Sequence, residues 1–275
     1  MENFNIKRFV RTLRWYFCEN RSKLVTFNIG LALGIFLMET FILWTSFGMM
    51  EGMKLKAETL LVMVPLVPLC FMVITAYNLY AFGNIFNAVK TKQRRIAFLT
   101  LPATNLERYL SALILAVVVW PICILLAVAL GDTLRMVVFG LLGKGWISGV
   151  TSFLTAKDGV PMSSGEKLQV ATIYAIQLWG CSAFVLGGSL LRKRPTLITG
   201  LVLSVLFFFF VILLARYADS WGDLMYSWIG GDEARARRFE YCFIASLCLL
   251  SLVNFFCSYQ LFKRFQIITS KWLNI

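Results

Sequence analysis

The stretch Thr196–Ala215, TLITGLVLSVLFFFFVILLA, carries no charged residue over about 20 positions. A helix rises ~1.5 Å per residue, so this length matches the ~30 Å hydrocarbon core of a bilayer. Inside lipid every backbone N–H and C=O must find an internal partner, which leaves only helices and closed barrels as spanning structures. Barrel strands alternate apolar and polar residues in segments of ~10, and this run does not alternate. It therefore dictates a membrane-spanning helix. Comparable runs recur at about 24–44, 59–82, 106–130, 168–191 and 239–262. The predicted fold is all-α: a polytopic transmembrane bundle of six spans. Its 15% charged residues lie well below the ~25% of a soluble domain, and mean hydropathy is +0.75.

Charge sets the sidedness. Six spans place both termini on one side. The N-terminal segment, the link between the second and third spans, the clip Arg192-Lys193-Arg194-Pro195 and the tail 263–275 together hold 17 of the 27 Lys and Arg. The remaining 10 lie in the other three links, where acids balance them. Loops rich in Lys and Arg stay in the cytoplasm, so the expected topology is N-in and C-in. The same rule accounts for the net charge of +13 without invoking nucleic acid. Charged residues persist to Lys23 before the first apolar run, unlike a secretory signal peptide.

Residues 1–23 read as an amphipathic helix in the headgroup layer. Ile6, Phe9, Val10, Leu13 and Phe17 share one face, while Lys7, Arg8, Arg11 and Arg14 fall elsewhere. Arg11, Arg14 and Trp15 are its expected contacts with membrane lipid. In the first span, Gly30 and Gly34 form a small-xxx-small face suited to close packing. Glu39 is the acid of that span. Intramembrane acids are functional candidates, but this one sits about a turn and a half from the span's end and is expected to snorkel to the interface. Pro65 and Pro68 predict a kink in the second span, as Trp120-Pro121 does in the third. Asn78 and Asn84 can bond another helix or cap their own. Met136–Leu142 is too short to cross, so it is either an extension of the third span or an interfacial turn. The loop 216–238 mixes aromatics with acids in a pattern that suits an interface-hugging helical pair.

Catalytic chemistry is sparsely represented. There is no histidine, and the seven cysteines lie in or beside apolar runs without a CxxC pair. A metal centre and a disulfide framework are thereby disfavoured. No GxxxxGK[ST] phosphate loop occurs, and Asp219, Asp223, Asp232 and Glu233 match no metal-loop spacing. We expect no catalytic residue, no metal and no cofactor held by this chain.

The most informative link is Lys90–Leu110, KTKQRRIAFLTLPATNLERYL. Four cations crowd its start, an apolar patch Ile96–Leu101 follows, and Thr104 with Glu107 has the spacing of a capping box that starts a helix near Asn105. Phe98–Leu110 resembles the segment that ABC-2-type transporter permeases carry before their third span: a Leu-Pro pair, a small residue, a hydroxyl residue and, three further on, a charged one. The six-span topology resembles theirs over the whole chain, although the segment Gly131–Lys167 is longer than the family's pattern. The resemblance implies a permease subunit of a bacterial inner-membrane exporter for a hydrophobic or amphiphilic substrate. It also implies a second permease copy or paralogue, and a separate ATPase subunit that carries ATP and Mg. Lys90–Thr104 would be the coupling segment docking on that ATPase through Arg94, Arg95, Ile96, Phe98, Leu99 and Leu101, with Trp15–Cys18 joining it. Trp221–Gly231 would form re-entrant helices on the outer face. The competing reading is a non-transporting membrane scaffold or sensor whose basic segment binds anionic lipid.

Overall fold

The structure, a computed structural model, describes residues 4–49, 71–86, 92–143, 164–191, 193–217 and 233–264. The described residues form α-helices: α1 (Ile6–Met49), α2 (Phe71–Gly83), α3 (Lys92–Leu99), α4 (Asn105–Leu141), α5 (Ser164–Leu190), α6 (Pro195–Arg216) and α7 (Glu233–Lys263). No strand occurs among them. Five (α1, α4, α5, α6 and α7) are long and apolar enough to cross a membrane. The chain is thus an all-helical, multi-pass membrane protein. The second predicted span, 59–82, is described only from Phe71 onward, and Pro65 and Pro68 lie outside the described residues.

Two compact units divide the chain: Met1–Asn78 with Leu110–Pro161, and Leu79–Tyr109 with Met162–Ile275. In the first, α1 packs along α4 in a parallel sense. The Phe27 ring meets Trp120 with centroids 5.9 Å apart. Leu31, Ala32 and Ile35 then form a buried cluster with Ile124 and Ala127. Further along, Gly131 brings α4 so close to α1 that a Cβ there would stand 2.8 Å from the Ala32 carbonyl oxygen. Val73, Ile74 and Tyr77 of α2 pack on the cluster, and the Tyr77 hydroxyl donates to the Phe27 carbonyl at 2.9 Å.

α1 departs from the expectation of a separate headgroup helix. It runs unbroken for 44 residues, ~66 Å at the standard rise. The physical reason is plain: no glycine or proline occurs before Gly30, so nothing between Phe17 and Leu24 stops the helix. α4 also overruns its predicted end at 130, continuing through Met136 to Leu141, which makes the segment an extension rather than an interfacial turn. The expected disturbance at Trp120-Pro121 takes the form of a π turn over Leu115–Val119, where the Trp120 N–H reaches back five residues to the Leu115 carbonyl. Proline supplies no N–H and its ring crowds the carbonyl four residues earlier, and a widened turn just before it relieves both problems.

In the second unit α5 and α7 are also parallel: Thr172 donates to Glu240 at 2.9 Å, and ten residues along, Ser182 accepts from Asn254 at 3.0 Å. The clip between α5 and α6 is a tight turn. Arg194 takes the left-handed conformation (φ 46°) and Pro195 opens α6, its missing N–H costing nothing at that position. Beside the clip, Gly187 faces Thr199, and a Cβ at Gly188 would stand 2.8 Å from the Gly83 carbonyl oxygen. Asn84 donates to the Thr196 hydroxyl at 2.8 Å and also to the Tyr80 carbonyl at 2.9 Å, so it both bonds a second helix and caps its own.

Candidate functional site: a seated basic helix and a buried charged cluster

α3 has eight residues, and a helix that short is marginal in water unless something holds it. Phe98 does the holding. It is fully buried, edge-on to Phe262 at 5.8 Å. Phe262 in turn contacts Phe86 at 5.2 Å and Tyr109 at 5.6 Å. The Tyr109 hydroxyl donates to the Phe255 carbonyl at 3.1 Å. One aromatic cluster within the second unit therefore joins α3 to the segment after α2, the start of α4 and the end of α7.

The turn from α3 into α4 is bonded at every step. Thr100 returns its hydroxyl to the Ile96 carbonyl at 2.9 Å, closing α3. The Ala103 N–H donates to the Leu101 carbonyl at 2.8 Å, and the Arg108 guanidinium donates to the same oxygen. That guanidinium also lies 5.6 Å from the Phe98 ring centroid, a cation–π distance. Thr104 and Glu107 form the expected capping box: the Thr104 N–H donates to Glu107 Oε2 at 2.9 Å and the Glu107 N–H to Thr104 Oγ1 at 3.2 Å. α4 begins at Asn105 as the spacing predicts. α3, turn and α4 form one braced elbow.

The docking residues named from sequence divide on this frame. Arg94 is exposed and Ile96 is 41% exposed, sharing the outer face with Gln93 and Ala97. Arg95 and Phe98 point inward, at 2% and 0% exposure, and Leu101 is half-buried in the turn. The Leu99 side chain lies outside the described set. An apolar residue flanked by cations reads as a docking surface in sequence, yet Phe98 fills this protein's own groove. On α1, Arg11 and Arg14 are exposed and Trp15 is half-buried, edge-on to Tyr16 at 5.4 Å. Ile6, Val10 and Phe17 are exposed, and Thr12 and Tyr16 are buried. Trp221–Gly231 lies outside the described residues.

A second constellation went unanticipated. Glu39 does not snorkel: it is 6% exposed and accepts from Arg135 Nε at 2.8 Å. Arg135 also pairs with Asp132 one turn back on α4, and both are almost fully buried. In the sequence both lie in Gly131–Lys167, past the expected end of the third span at 130. Because they satisfy each other and Glu39, the helix carries them onward inside the packed unit. The signal in the sequence was an acid in one span and Asp-x-x-Arg at the end of another. Gly30 and Gly34, by contrast, face open space, with nothing within 4 Å of a Cβ at either.

Among the described residues no group of His, Cys, Asp and Glu is arranged to hold a metal ion. The chain matches no protein-family model, no curated protein and no solved structure.

Proposed function

We propose that this chain is the membrane-spanning permease subunit of an ATP-binding cassette exporter in a bacterial inner membrane. A separate ATPase subunit docks on α3, and a second permease copy or paralogue completes the pathway. One observation carries the reading: α3 is a short basic helix whose inner face is fixed by Phe98 and Arg108 to the ends of membrane helices, while Arg94 and Ile96 face outward. A loop that only touched headgroups would not need a fully bonded turn and a buried aromatic seat. A helix that transmits force needs both, because displacement of its outer face must tilt α4 rather than unwind a loop. The outer face joins an apolar contact to a guanidinium, which suits a groove with an acidic rim.

Six spans with both termini inside is the topology proposed. The concentration of Lys and Arg at α3, the clip and both termini supports it, as does the parallel course of α1 and α4. The cargo proposed is hydrophobic or amphiphilic.

Co-purification tests this. The affinity-tagged chain, expressed in its native membrane, should bring an ATP-binding cassette ATPase subunit down from detergent extracts. Arg94→Glu with Ile96→Asp, both outward-facing, should abolish the association without lowering the yield of folded protein. A stable solitary protein that binds no ATPase, or a pair that survives the double substitution, would refute the docking role and leave the lipid-binding scaffold as the better reading.

A further inference from the structure

The Glu39–Arg135–Asp132 cluster has no part in docking, and it brings three charged side chains together in the buried interior of the first unit. Burying an ion pair is a poor route to stability, since desolvation offsets most of the attraction; its best-attested use is to select one packing over its neighbours. The α1–α4 seam has neighbours to exclude. Leu31, Ala32 and Ile35 face Ile124, Ala127 and Val128, all aliphatic. In lipid, where no hydrophobic force discriminates between packings, a slide of one turn (~5.4 Å) would exchange one set of aliphatic contacts for a similar set. Such a slide would, however, take Glu39 away from the Arg135 guanidinium, which stays with Asp132 on its own helix, and a buried carboxylate parted from its cation is costly.

The geometry points to a register clasp: Arg135, held by Asp132 on its own helix, captures Glu39 and so fixes which turn of α1 lies against which turn of α4. Gly131 supports this assignment. It sits one turn before Arg135, where a Cβ would meet the Ala32 carbonyl at 2.8 Å and the Ile35 side chain at 3.1 Å. Close approach and charge capture thus fall on consecutive turns of α4, and α1 and α4 are held as one body. The inference stands apart from the docking reading, because it concerns two helices of this chain whatever partner it has.

Disulfide trapping tests it in the full chain, with its seven cysteines replaced and a protease site placed between α1 and α4. Phe27→Cys/Trp120→Cys, at positions whose rings meet with centroids 5.9 Å apart, reports the observed register, and Leu31→Cys/Trp120→Cys reports a one-turn slide. With the clasp intact the first pair should cross-link at least about tenfold faster, since a ~5.4 Å offset carries the sulfurs out of bonding range. With Glu39→Met/Asp132→Leu/Arg135→Met, both pairs should cross-link at similar rates in a protein that remains folded. Continued preference for the first pair would overturn the proposal. If the triple variant does not accumulate, the fully inverted set Glu39→Lys/Asp132→Lys/Arg135→Glu, which keeps every pairing with its signs reversed, decides. Preference for the first pair then supports the clasp, and cross-linking in both registers or loss of folded protein overturns it.

Discussion

Phe98→Ala should release α3 from the membrane helices while leaving its outward face chemically intact. The side chain is fully buried, and burying a phenylalanine is worth about 1.5–3 kcal/mol. The Arg108 guanidinium would lose its ring at 5.6 Å, a contact of roughly 0.5–1 kcal/mol. Together these come to about 3 kcal/mol, and a tenfold change in an equilibrium corresponds to ~1.4 kcal/mol, so local opening of α3 should rise by about two decades. Eight residues cannot retain helicity without the seat. Hydrogen exchange followed by mass spectrometry, on protein in nanodiscs, reads this directly. Amides of Gln93–Leu99 should exchange about a hundredfold faster, those in the middle of α4 at their original rate. Phe98→Leu, which keeps most of the apolar volume, should lie close to wild type. Unchanged protection of α3 in the alanine variant would refute the seat, and with it the argument that α3 transmits force.

Four further outcomes follow from the packing. Gly188→Val should lower the thermal midpoint in detergent, because even its Cβ would stand 2.8 Å from the Gly83 carbonyl and overpacking costs about 1–3 kcal/mol; Gly34→Ala, facing open space, should not. Arg194→Gly should raise the midpoint, since a left-handed residue with a Cβ carries a penalty of roughly 1 kcal/mol, provided the clip keeps its conformation. Thr104→Ala should speed amide exchange in the first turn of α4 by about fivefold, the loss of a cap being worth ~1 kcal/mol. A membrane-impermeant maleimide applied to intact cells should label a single cysteine at position 54 but not at 7 or 94; labelling of all three, or of the last two alone, would contradict the proposed topology.

Much of this fold was legible because a bilayer leaves few choices. Thr196–Ala215 had to be a helix, and α6 is one. The capping box at Thr104 and Glu107 placed the start of α4 near Asn105, where it begins, since two reciprocal bonds specify a position rather than a tendency. Helix ends marked by charge were misplaced. Asp132 and Arg135 looked like the exit of a span because single-sequence reading treats each charge as needing water, whereas here each finds a counter-ion across or along the packed helices. The smooth passage from Tyr16 to Leu24 was missed for a related reason: an amphipathic pattern shows which face is apolar, and only a breaker shows where a helix stops. On α3, sequence identified the segment but not its orientation. Arg94 and Arg95 are equivalent in a string, yet one faces out and the other is buried.

The parallel pairs carry the argument about crossings further than the count of long helices does. α1 and α4 are successive long helices in the chain and lie parallel in one unit, with Phe27 opposite Trp120 and Glu39 opposite Arg135. If both cross the bilayer, the chain between Met49 and Asn105 must return across it before α4 can start on the original side. α2 packs on the same cluster, with Tyr77 bonded to Phe27. Its 13 described residues cover ~20 Å, and the sequence before them, back to Thr59, is apolar, as the proposed six-span topology requires. In the other unit α5 and α7 are parallel and α6 supplies the return, joined to α5 by a clip too short to allow any other path. The parallel course of α1 and α4 fits the proposed six-span topology, in which a crossing between them returns the chain to its original side.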